Sequence, residues 1–396
     1  MTTSSTAVTL ILLALSLTVA ADQKTDFQQA YRSYKQYMDV NDKQLALGAA
    51  ADAYKLGSRI YGKSNTNTAK LAINYATLLN DTRQYKKAKK VLKGKLKIME
   101  EAYGSDGGDL VSLLIELGRA HLDLRNPATG IGYFERASSI LDDNENVLIK
   151  GLRNFDIVSI LLKRRANTHT RPFVQTSYAS YKEALQSNDV RLGLAAYHMA
   201  MFAINDDNHD DAVEYLNESL NAFESDEGEV GDVERTVRTL LVDILERSNK
   251  SEDATEQCLA IGERQEWRTP PKPLYMVPPA LDKSLAKEPP TGRIVLSFTV
   301  DEQGFVRSPR VSSSTAPGLN EAALAAVGQF RYAPRFEDGV PVATSKVNFT
   351  VNYDFGETPS AGGKNKFSMP PARGSKSGGT GSGVRDFGDF GGGGGK

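Results

Sequence analysis

The sequence predicts a mixed architecture: an all-α superhelical array of helical hairpins, followed by a small α+β domain in which one helix covers an antiparallel sheet. Three observations predict it. From about Asp26 to Arg264 apolar residues recur at spacings of three and four, as in Leu71, Tyr75, Leu78 and Leu79, the mark of helices with one buried face. Within that stretch pairs of small residues return at one separation. From Gly292 onward the apolar spacing changes to two, the period of a half-buried strand.

The N-terminus comes first. Met1 to Ala21 carries no charge, and Ala7 to Ala21 is an apolar run of about fifteen residues, the length of a signal-peptide core. Small residues at Val19, Ala20 and Ala21 fit a cleavage site before Asp22. Residues 1–21 are therefore expected to be a signal peptide that is removed. The alternative is an uncleaved N-terminal anchor, although a spanning helix wants about twenty apolar residues.

Residues 22–266 read as repeats. Ala76 with Ala88, Gly118 with Gly130, Ala200 with Ala212 and Val242 with Ala254 are the small pairs, and Leu92, Phe134, Leu216 and Cys258 follow four positions on. Tyr61-Gly62 returns as Tyr103-Gly104. Small residues at fixed positions let the two helices of a hairpin approach closely, and the large residue fills the next layer. This pattern resembles the tetratricopeptide repeat, and its long period resembles the extended variety of kinesin light chains. About five hairpins are expected, with a blurred one around Ser159. Such arrays leave a surface free, so a protein or peptide partner on the repeats is implied. Lys86, Lys87, Lys89, Lys90, Lys93, Lys95 and Lys97 crowd one helix, and Asp206 to Asp232 is a run of acids without a basic residue. These are solvated faces, or the two ends of an electrostatically polarised array.

Residues 267–290 hold Pro270-Pro271, Pro278-Pro279 and Pro289-Pro290, which break helices and favour extended backbone. They read as a short linker into a domain over residues 291–356. Ile294, Leu296, Phe298 and Val300 alternate with polar or outward residues. Asp301-Glu302-Gln303-Gly304 is a turn before a second strand from Phe305 to about Ser312. Leu319 to Phe330 carries one helical stripe, and Val347, Phe349, Val351, Tyr353 and Phe355 alternate with polar residues. Strand, strand, helix, strand closes most simply as an antiparallel sheet under its helix.

The order Gly292-Arg-Ile-Val-Leu-Ser-Phe, Asp301-Glu-Gln-Gly, Leu319-Asn-Glu-Ala-Ala-Leu, Phe330-Arg-Tyr-Ala-Pro, Gly339-Val-Pro-Val and Val347-Asn-Phe-Thr-Val resembles the C-terminal domain of the TonB family, the periplasmic arm that touches outer-membrane receptors. The resemblance implies that a TonB-dependent receptor adds a strand beside the last strand of the sheet. The partner-binding residues would be Lys346, Val347, Asn348, Phe349, Thr350, Val351, Asn352 and Tyr353, acting by backbone pairing. It also implies the periplasm of a Gram-negative bacterium, or an inner-membrane anchor with a periplasmic body, and a link to inner-membrane motor proteins in energy-coupled transmembrane transport. The alternative is a periplasmic tetratricopeptide scaffold or adaptor without energy transduction. The chain departs from the family at Val277-Pro278-Pro279-Ala280, where a Tyr-Pro pair is usual, and in lacking a long Pro/Lys/Glu spacer and a His in its apolar N-terminal segment.

The Gly-rich residues 357–396 cannot form a core and are expected to be disordered. A formal charge of -1 argues against a nucleic-acid partner. The lone Cys258 rules out an internal disulfide. His121, His169, His198 and His209 match no metal spacing, and no nucleophile is framed by motif, so neither an enzyme nor a cofactor is expected.

Overall fold

The computed structural model describes residues 4–143, 145–164, 169–224, 231–267, 271–280 and 292–353; the side chains before Asp22 and that of Tyr353 lie outside the description. The backbone at the expected cleavage site lies within a helix, whereas Asp226, Glu227 and Glu229, the linker after Ala280 and the Gly-rich tail fall outside the description. The chain divides into two units, residues 1–184 and 185–396.

The first unit is four helical hairpins. The first pairs α1 (Ser4–Asp39) with α2 (Lys43–Tyr61). In the second, α3 (Thr66–Asp81) packs on α4 (Tyr85–Leu92) and α5 (Lys95–Tyr103). The third and fourth are α6 (Val111–Asp123) with α7 (Pro127–Ile140), and α8 (Val147–Lys163) with α9 (Arg171–Ala184). Four hairpins instead of three precede residue 185 because the sequence hides the first and blurs the fourth. In the first, Tyr34 stands where Ala76 and Gly118 stand in the next two, so no small pair is seen. The fourth fills the blurred interval and is closed by Val158, Leu161, Phe173 and Tyr181, all buried, rather than by a small pair.

The turns within hairpins share one chemistry. Asn41, Arg83 and Arg125 adopt positive φ at a spacing of 42, as do Asp207 and Asn249 in the second unit. At each turn the next residue donates its N–H five positions back: Asp42 to Tyr37, Gln84 to Leu79, Asn126 to His121, Asn208 to Ala203 and Lys250 to Leu245. That is the left-handed stop that satisfies the last carbonyls of a helix. Close contact follows where the pattern asks for small residues: a Cβ on Gly118 would stand 2.9 Å from the Gly130 carbonyl oxygen.

Polar groups stitch neighbouring hairpins of this unit. Asn80 Nδ2 donates to the Glu116 carboxylate at 2.7 Å and to its carbonyl at 3.1 Å. Arg119 pairs with Asp81 at 2.5 Å, and Arg164 pairs with Asp123. Burial pushes the Glu116 carboxyl up, against the pull of Arg119 and Asn80.

The second unit holds two more hairpins, α10 (Val190–Asn205) with α11 (His209–Phe223) and α12 (Asp232–Arg247) with α13 (Ser251–Glu263). They share a core of Ala200, Leu216, Leu220, Val237, Leu241, Leu245 and Ala254. The sheet follows in the same unit. Strands β1 (Gly292–Val300), β2 (Val306–Ser314) and β5 (Thr344–Tyr353) form an antiparallel sheet in the order β2-β1-β5. Helix α14 (Asn320–Val327) covers it, with Ala323 and Val327 packed on Ile294, Leu296, Phe298, Phe349 and Val351. The helix is shorter than its apolar stripe: Pro317–Leu319 is a 3₁₀ turn, and the helix stops before Gly328. A second small hairpin, β3 (Arg335–Glu337) with β4 (Val340–Val342), was not expected. Three residues per strand are too few to show a period of two.

The sheet and the last hairpin share a buried contact. Arg331 is 1% exposed and reaches Glu246, Ser251 Oγ (3.1 Å) and Thr255 Oγ1 (2.7 Å) on the hairpin, and the Gln303 carbonyl (3.1 Å) on the sheet side. Its guanidinium lies 3.7 Å from the Phe305 ring centre. Gly262 on α13 lets the chain at Pro334 come close; a Cβ there would stand 2.4 Å from the Pro334 carbonyl oxygen. Before β1, Leu274 N–H donates to Arg331 O (2.7 Å) and Arg331 N–H to Tyr275 O (3.2 Å). The proline-flanked segment is thus paired where it is described, and Trp267 and Met276 pack on the sheet core.

Candidate strand-docking edge

The sequence-predicted residues Lys346 to Tyr353 all lie on β5. Their alternation does what the period requires. Val347, Phe349 and Val351 are buried against α14 and its neighbours, with Phe349 edge-on to Phe330 at 5.2 Å. Lys346 and Asn348 are exposed, and Thr350 and Asn352 are partly so.

One long side of β5 is paired and, among the described residues, no strand pairs with the other. The register shows which backbone groups are free. The Arg293 carbonyl accepts from Thr315 N–H (3.0 Å), and Arg293 N–H donates to Thr315 Oγ1 (2.8 Å), so the Arg293 backbone turns toward β2. Backbone direction alternates along a strand, so Ile294, Leu296 and Phe298 turn toward β5. Their partners there are Val351, Phe349 and Val347. These three are tied to β1, which leaves the N–H and C=O groups of Asn348, Thr350 and Asn352 directed to the open side. The edge therefore offers backbone donors and acceptors flanked by polar side chains.

The edge is bounded at its N-terminal end by a bulge. Phe298 pairs with Val347 and Val300 with Thr344, so one residue of β1 faces two of β5. Lys346 takes up the extra length with φ of 59°. A bulge twists the strand and ends regular pairing, so the regular part of the open edge begins at Val347. The sequence gives no signal of it, because lysine is a poor residue for positive φ.

Little else in the described residues is arranged for chemistry. His209, which opens α11 rather than lying in a loop, has Nε2 3.2 Å from Asp207 Oδ1 and Nδ1 3.3 Å from Ser248 Oγ. The likeness to a hydrolytic triad is superficial. Ser248 Oγ donates to the Ile244 carbonyl at 2.8 Å, so the imidazole faces a lone pair, not the proton. Ser248 also caps the C-terminal end of α12, whose dipole opposes a developing alkoxide. Cys258 is fully buried, and burial pushes its thiol up to about 12. Among the described residues no group of three or more His, Cys, Asp or Glu is placed to hold a metal ion, and no helix is long and apolar enough to cross a membrane.

Solved structures similar to the chain include BtubC from P. vanneervenii (12% identity, TM-score 0.39, 59% of this chain and 87% of that one). Another is the Podospora anserina putative kinesin light chain with TPR-like repeats (12%, 0.40, 50% and 93%). A third is aspartyl phosphate phosphatase F from Bacillus subtilis (12%, 0.36, 61% and 61%). These likenesses are too distant to bear on function. No curated protein matches the sequence. Residues 283–355 match the family described as the Gram-negative bacterial TonB protein C-terminal. The chain is thus an array of helical hairpins followed by a small sheet domain, and residues 283–355 match the TonB C-terminal family.

Proposed function

We propose that this is an exported protein-interaction protein. Its C-terminal domain takes a strand from an outer-membrane TonB-dependent receptor on the free side of β5, and its hairpin array holds a second protein or peptide. The single observation that carries the reading is the open edge at Asn348, Thr350 and Asn352 on a domain with a TonB C-terminal match. Backbone pairing supplies affinity, and alternate side chains supply choice. About five new backbone bonds at roughly 1 kcal/mol each correspond to high-micromolar to millimolar affinity before ordering costs. Such a contact gains from tethering, which a second bound protein on the array provides. In this reading the protein works in the periplasm, and with its N-terminus retained in the inner membrane it joins motor proteins in energy-coupled transport.

A second reading, a periplasmic scaffold without energy transduction, is favoured by the Arg331 contact. That contact holds the sheet against the last hairpin and suits a protein that keeps two partners at a fixed spacing. Intact-mass measurement separates the two: loss of residues 1–21 supports the scaffold, and retention in the membrane supports the transducer.

The docking edge is tested by titrating the full chain with the N-terminal plug peptide of a TonB-dependent receptor from the same organism. Thr350→Pro removes an outward donor and is expected to abolish binding, whereas Thr350→Ala is expected to leave it within about twofold. Equal binding by both folded variants would show that a different surface is used.

A further inference from the structure

The second helices of three hairpins carry charge at the same places. In α4 the second, third and sixth residues are Lys86, Lys87 and Lys90; in α11 they are Asp210, Asp211 and Glu214; in α13 they are Glu252, Asp253 and Glu256. All nine are exposed. The equivalent residues of α7 are Ala128, Thr129 and Gly132, so the positions themselves do not demand charge. The difference extends to the whole sequence. Residues 22–184 hold 26 basic and 18 acidic residues, and residues 185–356 hold 16 and 28.

Most of these charges have no partner of their own. No ion pair involves Lys86, Lys90, Glu252, Asp253 or Glu256 among the described residues, whereas Asp210 pairs with Lys250 at 3.2 Å. The free faces are therefore those of α4 and α13. Each shows two like charges four residues apart, one helical turn, so an antiparallel approach sets Lys86 opposite Glu256 and Lys90 opposite Glu252. The lysine face lies in residues 1–184 and its acidic complements in residues 185–396, where the α13 face is the one with no ion pair among the described residues.

We propose that the lysine face of α4 docks the acidic face of α13 of a second copy of this chain, giving head-to-tail association. The interface is heterologous: each copy offers a different surface on each of its two units, so assembly grows beyond a dimer unless a ring closes. It rests on exposed charge, so salt controls it; the screening length is about 10 Å at 0.1 M salt and about 3 Å at 1 M.

Sedimentation velocity on the full chain tests this. At about 50 mM salt the sedimentation coefficient is expected to rise with protein concentration, and at about 500 mM to fall to that of one copy, with association weakened tenfold or more. The triple variants Lys86→Glu/Lys87→Glu/Lys90→Glu and Glu252→Lys/Asp253→Lys/Glu256→Lys are each expected to remain single at low salt. Mixed in equal amounts they are expected to associate again, because each restores the other's missing sign. A neutral variant, Glu252→Gln/Asp253→Asn/Glu256→Gln, checks that loss of association does not reflect loss of the α13 N-terminus; circular dichroism must match the parent. A parent that stays single at every concentration and salt would overturn the proposal. So would reversed variants that still self-associate, or a parent that stays single yet pellets with phosphatidylglycerol vesicles through α4.

Discussion

Arg331 and Glu246 form a buried ion pair between the C-terminal sheet and the last helical hairpin of the second unit. Arg331 follows Phe330 in the motif that marks the family, yet its side chain points away from the sheet core and into the hairpin. Removing one partner of a buried pair leaves an uncompensated charge, which costs about 3 kcal/mol or more. Arg331→Met is expected to lower the stability of this unit by that amount in urea, followed by the fluorescence of Trp267, the single tryptophan, which packs on the sheet core. An unchanged midpoint would mean that the pair contributes nothing to the junction.

Cys258 reports on the same junction. Its thiol is fully buried and pushed up to about 12 by burial, so the thiolate is scarce near neutral pH. A thiol reagent is expected to label native protein orders of magnitude more slowly than urea-unfolded protein, and Arg331→Met is expected to accelerate labelling. Fast labelling of the parent would contradict the burial.

The parity of β5 makes a prediction about stability apart from binding. Proline at Phe349 or Val351 removes a bond to β1 and is expected to unfold the sheet, at a cost of about 3 kcal/mol or more. At Asn348 or Asn352 proline removes only an outward donor and is expected to cost about 1 kcal/mol, read by circular dichroism and urea titration. Equal damage at both sets would place the free groups on the wrong residues.

Lys346 is held at φ of 59°, a conformation that costs a side-chain-bearing residue about 1–2 kcal/mol. Lys346→Gly relieves this and adds backbone freedom to the unfolded chain. The balance is a gain of up to about 1 kcal/mol in the same urea assay. A loss would mean that the lysine stem packs against its neighbours.

His198 on α10 gives the fold a pH dependence. Burial pulls its imidazole down to about 4, so the folded protein keeps it neutral where the unfolded chain takes up a proton near pH 6.5. Unfolding then binds a proton between about pH 6.5 and 4, and stability falls as pH falls through that window, by on the order of 2 kcal/mol. Thermal melts between pH 7.5 and 4.5 are expected to show this slope, and His198→Gln is expected to flatten it.

The parts of this molecule legible in the sequence are those with a period. Apolar spacing located the helices, and small pairs located most hairpins because close helix contact tolerates nothing larger at positions such as Gly118 and Gly130. The pairing of Ile294 with Val351 and Leu296 with Phe349 follows from two alternating strands that each have one apolar face. What stayed hidden lacks a period. Tyr34 replaces a small residue in the first hairpin, β3 and β4 are too short to alternate, and Lys346 is an unlikely residue for a bulge. The Arg331 contact joins residues 85 positions apart, and an arginine in a strand-turn motif reads as a surface charge until its partners are seen.

The left-handed stops at Asn41, Arg83 and Arg125 cut the first hairpins into segments with identical chemistry at both ends. A chain spliced from one such stop to the same stop in a later hairpin keeps its turn hydrogen bonds and its helix phase. Duplication or loss of a 42-residue segment is therefore a single genetic event that the fold absorbs without repair. The number of hairpins ahead of β5 can thus change in whole segments, whereas a deletion inside a helix turns the residues after it off the buried face.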